Sequence, residues 1–440
     1  MRHVTGRGDR VIAELSGGIS VSGMPEFDEL KRSGALQGIR ILDFGTAWAG
    51  SIPGHVLADF GAEVIKIESQ DRVDLLRYGP GPYAPMRGKP WTEARECNTW
   101  FHSVNRGKLG VTINFTTARG AELIRQLVAI SDVVVDNFTP EVLPKYNLHY
   151  EALTAIKPEL IMLSISVAGQ HGPYRDTRAY AFNLHGLSGF ASLIGFEGDT
   201  EPQHIDIAYA DWNAGMFGTY SLILALFHRQ RTGEGQFIDL SAWESTTALL
   251  AEGVVDASMN QRVRGPQGNA HPTMAPHGYY PCQGDDVWLA LAVRSEAEWQ
   301  SLCTVMGQPN LAQDARFCDM DQRLQHRAEL DAQVMAWTQT QDVEDAAKRL
   351  QGAGIAAMPL RTVEGRGNDP HMQARKTHTE IDHPGPGLEY MHNIPWHMSD
   401  TPPRIQGPAP QVGQHNAYVF GELLGLSPEV QQQLADDGIL

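Results

Sequence analysis

Two features of this sequence have the residue types to act on a ligand: a turn of small residues and a carboxylate set among small residues ahead of a helix. The turn is Gly45-Thr46-Ala47-Trp48-Ala49-Gly50. It follows the apolar run Ile39–Phe44 and leads into a helical pattern, after which a second apolar run, Glu63–Glu68, closes a βαβ unit. Backbone N–H groups at such a helix start, with the helix dipole behind them, favour an anionic, nucleotide-like ligand. A dinucleotide fits less well, because Gly45, Gly50 and Gly54 miss the G-x-G-x-x-G spacing that brings backbone onto a pyrophosphate. That leaves an oxidoreductase as the outside reading. The carboxylate is Asp211, followed by the helical run Met216–Phe227, with Asp206 as its nearby competitor. At a helix N-terminus its charged form is favoured, and by itself it reads as a helix cap.

These residues need a frame. From Leu36 to Gly169, strand-like runs at Ile39–Phe44, Glu63–Glu68, Gly110–Asn114, Asp132–Asn137 and Leu160–Ser166 alternate with helical segments such as Ala118–Ile130. Such alternation predicts an α/β fold whose mostly parallel sheet carries helices on both faces, with ligands at the carboxyl ends of the strands. The Gly/Pro-rich passage Arg264–Asn269 breaks the pattern. Beyond it come a hairpin with strands at Gly278–Pro281 and Val287–Val293, helices around Glu296–Met306 and Val343–Gln351, a loop-rich stretch from Arg361 to Pro410, and a terminal helix near Tyr418–Leu424. The expected division is an N-terminal extension (1–35), the first part of a large Rossmann-like domain (36–245), a linker (246–275), a small domain (276–360), and a second linker returning to the large domain (361–440).

A chain of 440 residues can bury a large core. Its 35 basic against 52 acidic residues give a net charge of −17, which argues against nucleic acid and anionic membranes as partners and requires a local basic pocket for any polyanionic ligand. Neither a secretory signal nor a membrane-spanning apolar run is present in the sequence. The four cysteines, Cys97, Cys282, Cys303 and Cys318, lack C-x-x-C spacing, so reduced thiols in the cytoplasm are expected. His271 and His277 have no cysteines or carboxylates at ligand spacing, and no metal is assigned.

The ordered set "GIRILDFGTAWAG…LADFGAEVIKIE", "NRGK", "SDVVVDNFTPEVL", "PELIMLSISVAGQHGPY", "HRQRTGEGQFIDLS" and "PAPQVGQHNAYVFGELLGLS" resembles the family III CoA-transferases, whose fold is shared by the α-methylacyl-CoA racemases. The resemblance runs from Leu36 to the C-terminus. It implies a Rossmann-like large domain, a smaller inserted α+β domain, and an interlocked dimer, either a homodimer or a heteromer with a homologous subunit. It also implies CoA and acyl-CoA as substrates, with no permanently bound cofactor.

On that resemblance Asp211, about twenty residues after Ser188-Gly189, takes the nucleophile's place. It would form an aspartyl anhydride and then an aspartyl-CoA thioester while CoA moves from a donor acyl-CoA to an acceptor acid. The racemases' histidine position carries Tyr180 here, which speaks against an acyl-CoA racemase or epimerase; His185 nearby reads as a packing or capping residue. Ala181 departs from the polar residue common in transferases. For CoA, the resemblance assigns the turn Ala47, Trp48 and Ala49, the segment Asn137 and Phe138, and the cations Lys145 and Arg178, with core packing an equal reading for Trp48 and Phe138. Ser69 and Thr116 replace two basic residues of the family, leaving Arg72, Arg77, Arg106 and Lys108 as candidate phosphate ligands. Gly268 and Asn269 stand in a loop that in some members closes over the acyl intermediate. These departures keep a third reading open, a CoA-binding subunit of a hetero-oligomeric transferase.

Overall fold

The structure is a computed structural model that describes residues 33–78 and 90–440; almost all of the expected extension 1–35 lies outside the described residues. Six parallel strands form the main sheet: β1 (Arg40–Asp43), β2 (Glu63–Glu68), β3 (Leu109–Thr112), β4 (Val133–Asp136), β5 (Ile161–Ser166) and β6 (Gln236–Ser241), in the spatial order β3-β2-β1-β4-β5-β6. Five of them lie where the apolar runs place them. The sixth, β6, has no counterpart among those runs: Gln236 and Phe237 are exposed and its centre is only half-buried, so it carries no continuous apolar stretch.

Five helices frame the site: α1 (Ala47–Asp59), α2 (Thr99–Asn105), α3 (Ala118–Ala129), α4 (Ala181–Leu187) and α5 (Tyr209–Thr232). Successive strand residues point to opposite faces, and each face has its own core. Leu42, Ile65, Val111, Val134 and Met162 meet Ile124 and Leu127 of α3 together with Val419 and Phe420. Ile41, Val64, Val133, Val135 and Leu163 meet Leu57 of α1 and Ala214 and Leu222 of α5. Burying both faces is what makes these strands so apolar.

Helices α1 and α5 approach closely because α5 presents glycines. A Cβ on Gly215 would lie 2.6 Å from Cβ of Ile52, and one on Gly218 would lie 3.0 Å from Leu163. At its far end α5 stops on Gly233 at φ +79°, a left-handed cap.

A smaller antiparallel sheet, β7 (His277–Pro281), β8 (Trp288–Ala292) and β9 (Ala356–Pro359), has its own core around Trp299, Phe317 and Trp337. Strand β9, Ala-Ala-Met-Pro, has no polar alternation to announce it. The expected loop-rich stretch from Arg361 to Pro410 contains an antiparallel hairpin, β10 (His378–His383) with β11 (Gly387–His392), which corrects that reading. Its strands mix His, Glu, Asp and Thr on exposed faces, so hydrophobic periodicity is missing. The chain then runs beside β3: the His415 N–H donates to Gly110 O at 2.9 Å, and Asn416 Oδ1 accepts from Thr112 at 3.0 Å. Among the described residues no helix is long and apolar enough to cross a membrane.

Candidate active site

Strand order reverses between β1 and β4, the place where an open parallel sheet leaves a crevice at its carboxyl edge. The turn after β1 lies there. Asn137, just past β4, accepts the Thr46 N–H at 2.8 Å and donates back to Thr46 O at 2.9 Å. Asp74 accepts the Ala47 N–H at 3.1 Å, and Ala47 has φ +54°, a left-handed conformation that a non-glycine residue adopts at a cost. The turn is therefore clamped by side chains. Its glycines serve the clamp: a Cβ on Gly45 would lie 2.1 Å from Gly50 O, one on Gly50 2.5 Å from Asn137 Oδ1, and one on Gly54 2.7 Å from Asp43 Oδ2.

Beneath the turn lies a buried layer of charge. Lys66 pairs with Asp74 at 2.6 Å and also reaches Gly45 O; Lys108 pairs with Asp43 at 2.7 Å. Burial opposes charge on both members of the first pair, yet their mutual attraction holds Lys66 above and Asp74 below the ordinary range. Burial pulls Lys108 down to about 8 despite Asp43. Arg77 is held by Glu68 and Glu96, each at 2.8 Å, with its guanidinium 3.6 Å from the Phe101 ring centroid; Arg106 is held by Asp59 at 2.7 Å.

Among the cations considered for CoA phosphates, Arg77, Arg106 and Lys108 are thus core residues already matched to carboxylates, neither open to solvent nor solvated surface charges. Arg72, Lys145 and Arg178 are exposed. Phe138 packs edge-on to Phe44 at 6.4 Å, against the core of the sheet. Ala49 is half-buried in the first turn of α1.

Ala47 and Trp48 open onto a cavity of about 710 Å³ whose lining also includes Tyr180 and Asp211. Four sequence candidates from three separate segments thus meet in one place. Asp211 is the third residue of α5, inside its first turn; the N-cap position belongs to Ala208, so the capping role does not fall to Asp211. Burial pushes its carboxyl up to about 6, where a helix terminus alone would keep it fully ionised. His185 of α4 caps the start of α5 instead, accepting the Ala210 N–H through Nε2 at 3.3 Å. Burial first, and then His204, hold its imidazole below the ordinary range. Tyr180 is 70 % exposed at the N-cap of α4, its N–H donating to Asn183 Oδ1 at 3.1 Å.

Gly268 and Asn269 are not brought to this cavity. They line a separate hollow on the small sheet with Tyr279 and Met358, and Gly268 donates its N–H to Gly195 O at 2.8 Å. The cavity does gather residues that no sequence pattern singles out: Tyr78, Trp100, His204 and Ile207. No spacing rule links them, since they come from separate segments that meet only in the fold. Trp48 ties the group, with ring centroids 5.8 Å from Trp212 and 6.2 Å from Trp100.

The chain is similar to known proteins over most of its length. The family model for CoA-transferase family III matches residues 36–416. Succinyl-CoA–D-citramalate CoA-transferase of Chloroflexus aurantiacus is 33% identical over 394 residues, 90% of this chain and 95% of the relative. The beta subunit of succinyl-CoA–L-malate CoA-transferase from the same organism is 33% identical over 396 residues, 90% of this chain and 95% of that subunit. The crystal structure of a CaiB/BaiF family protein from Brucella suis superposes with a TM-score of 0.79 at 33% identity, covering 89% of this chain and all of that one. The chain belongs to CoA-transferase family III.

Proposed function

We propose that this protein moves CoA from an acyl-CoA donor to a carboxylic acid acceptor, with Asp211 as the covalent carrier. The observation that carries this reading is the half-buried Asp211 carboxylate on the same cavity as the clamped turn Ala47-Trp48. The two relatives above are named for transfer from succinyl-CoA to a carboxylic acid, which makes succinyl-CoA the first donor to test.

The Asp211 carboxylate attacks the thioester carbonyl, the C–S bond breaks, and CoA leaves as thiolate from a mixed anhydride. The thiolate then attacks the aspartyl carbonyl, releasing the donor acid and leaving an aspartyl-CoA thioester. The acceptor carboxylate displaces the thiolate to give a second anhydride, and thiolate attack on its acyl carbon forms the new acyl-CoA and regenerates Asp211. A carboxyl that titrates near 6 suits this cycle: ionised at neutral pH, it is a stronger nucleophile than an ordinary aspartate. Exposed Arg72, Lys145 and Arg178 are the cations left to meet the CoA phosphates, with Asn137 holding the turn against the pantetheine.

The outer face of α5 exposes Phe217, Tyr220, Leu224 and Phe227, an apolar stripe suited to a second chain, identical or homologous. Work in the cytoplasm agrees with four free cysteines. The deciding experiment is CoA exchange by wild type beside Asp211→Asn, with hydroxylamine trapping of the aspartyl thioester read by mass spectrometry. Exchange that persists in the variant, or hydroxamate on another residue, would remove Asp211 from this role.

A further inference from the structure

We infer that Asp74 is a positioning residue for CoA transfer, one oxygen of its buried carboxylate pinning together two parts of the cavity that holds Asp211; this role rests on the transferase reading above. Asp74 Oδ1 accepts the Ala47 N–H at 3.1 Å and the Leu76 N–H at 2.9 Å. Ala47 and Trp48 form one part of the cavity lining, and Leu75, Leu76 and Tyr78 of the 3-10 helix Leu75–Tyr78 form another. A single atom therefore joins the two. Its partner oxygen is engaged elsewhere: Oδ2 takes the Lys66 ammonium at 2.6 Å and the Ser51 hydroxyl at 3.3 Å, and Lys66 donates in turn to Gly45 O at the start of the same turn. The Asp74 N–H donates to Glu68 Oε1 at 2.8 Å, and Arg77 grips both oxygens of Glu68 at 2.8 Å. With the side chains of Asp74 and Lys66 fully buried, the carboxylate has no freedom to turn.

The pin holds a conformation that the turn would not keep by itself. Ala47 stands at φ +54°, unfavourable for a residue with a Cβ, and its N–H, at the first residue of α1, has no partner within the helix. Thr46 is the N-cap, yet its side chain makes no cap bond. The bond comes instead from Asp74, on the segment that follows β2. A local cap would steady the helix start alone, whereas this one ties the turn to the Leu75–Tyr78 wall. Releasing it frees both to shift relative to Asp211, which α5 carries separately. An acyl-CoA would still enter the cavity, but a displacement of about 1 Å between reacting atoms costs about a hundredfold in rate. The loss belongs in kcat and not in KM.

The test compares two double variants that lose the buried ion pair equally: Lys66→Met with Asp74→Asn, and Lys66→Met with Asp74→Ala. Asparagine keeps an oxygen for the two N–H groups; alanine does not. The reaction read is the passage of label from isotopic succinate into succinyl-CoA, beside amide hydrogen exchange at Ala47 and Leu76. We expect kcat about a hundredfold lower in the alanine pair than in the asparagine pair, with KM for succinyl-CoA the same within about threefold. Amide exchange at Ala47 and Leu76 should be fast in the alanine pair alone. Equal kcat in the two pairs, or a difference confined to their urea midpoints, would overturn the role while the transferase reading stands. A wild type that passes no label sinks the transferase reading for this donor and the positioning role with it, and amide exchange then still reads the pin as architecture. If either pair does not fold, Asp74→Glu keeps the charge opposite Lys66 on a longer arm: lowered kcat at an unchanged KM is expected, and unchanged kcat overturns the role.

Discussion

His185 and Ala210 are joined by a hydrogen bond in which the imidazole Nε2 accepts the backbone N–H at 3.3 Å, immediately before Asp211 in sequence. The bond fixes which ring nitrogen is unprotonated and ties α4 to the opening turn of α5. His185→Phe keeps the bulk and leaves that N–H unpaired. We expect a loss of about 1 kcal/mol of stability by chemical denaturation, with kcat falling more than KM rises, because it is the orientation of Asp211 that suffers.

Asp211→Asn removes the proposed nucleophile, a carboxylate that burial disfavours. Transfer activity should drop by about a thousandfold or more. Stability should move the other way: a carboxyl raised from 3.8 to about 6 penalises the folded state at neutral pH, so the variant should gain about 2 kcal/mol at pH 7. Circular dichroism melts beside CoA-exchange rates read both effects, and a variant both inactive and less stable would contradict the second.

The same titration shapes the pH dependence. In the proposed cycle only the ionised Asp211 attacks, so kcat/KM measured with a donor that does not itself titrate should fall on the acid side with a midpoint near 6. A midpoint near 4 would mean that Asp211 titrates as an ordinary aspartate in the working enzyme.

His383 gives acid sensitivity of a different kind. Its Nε2 donates to Ala409 O at 3.0 Å and its Nδ1 accepts the Gly385 N–H at 3.0 Å, so the neutral ring is fully used. Burial and then His102, whose ring stacks at 3.9 Å, hold it down to about 4. An unfolded histidine takes its proton near pH 6.5, whereas the folded one resists until about 4. Folding therefore loses up to about 3 kcal/mol as pH falls through that window. His383→Gln should start less stable at pH 7 and show a correspondingly shallower decline in urea midpoints between pH 6.5 and 4.

Gly215→Ala sets two effects against each other. Alanine in a helix interior normally adds up to about 1 kcal/mol, but this Cβ would lie 2.6 Å from Ile52, and forcing that contact costs about 1–3 kcal/mol. The clash wins, and the thermal midpoint should fall.

The parallel sheet was legible because strands buried on both faces write themselves as apolar runs, as Val133–Asp136 does. Strand β6 at the edge and the polar hairpin β10–β11 carry no such signal. The meeting of Ala47, Trp48, Tyr180 and Asp211 followed from ordered motifs, since those segments end at one edge of the sheet. The fates of Arg77, Arg106 and Lys108 could not be read: each looks like a surface cation until Glu68, Glu96, Asp59 and Asp43 fold onto it. His204 joins the cavity from a loop and Trp100 from the first turn of α2, and no periodicity links the two.

The glycine contact between α1 and α5 divides the protein into what can change and what cannot. Ile52 seated on Gly215 locks α5, which bears Asp211, to α1, which follows the clamped turn, while Leu163 against Gly218 seats α5 on β5. The distance between Asp211 and the turn is thereby a constant of the scaffold. Phe182, His204 and Ile207 on the same lining lie outside that lock, so their side chains can change while the spacing of Asp211 and the turn is inherited intact.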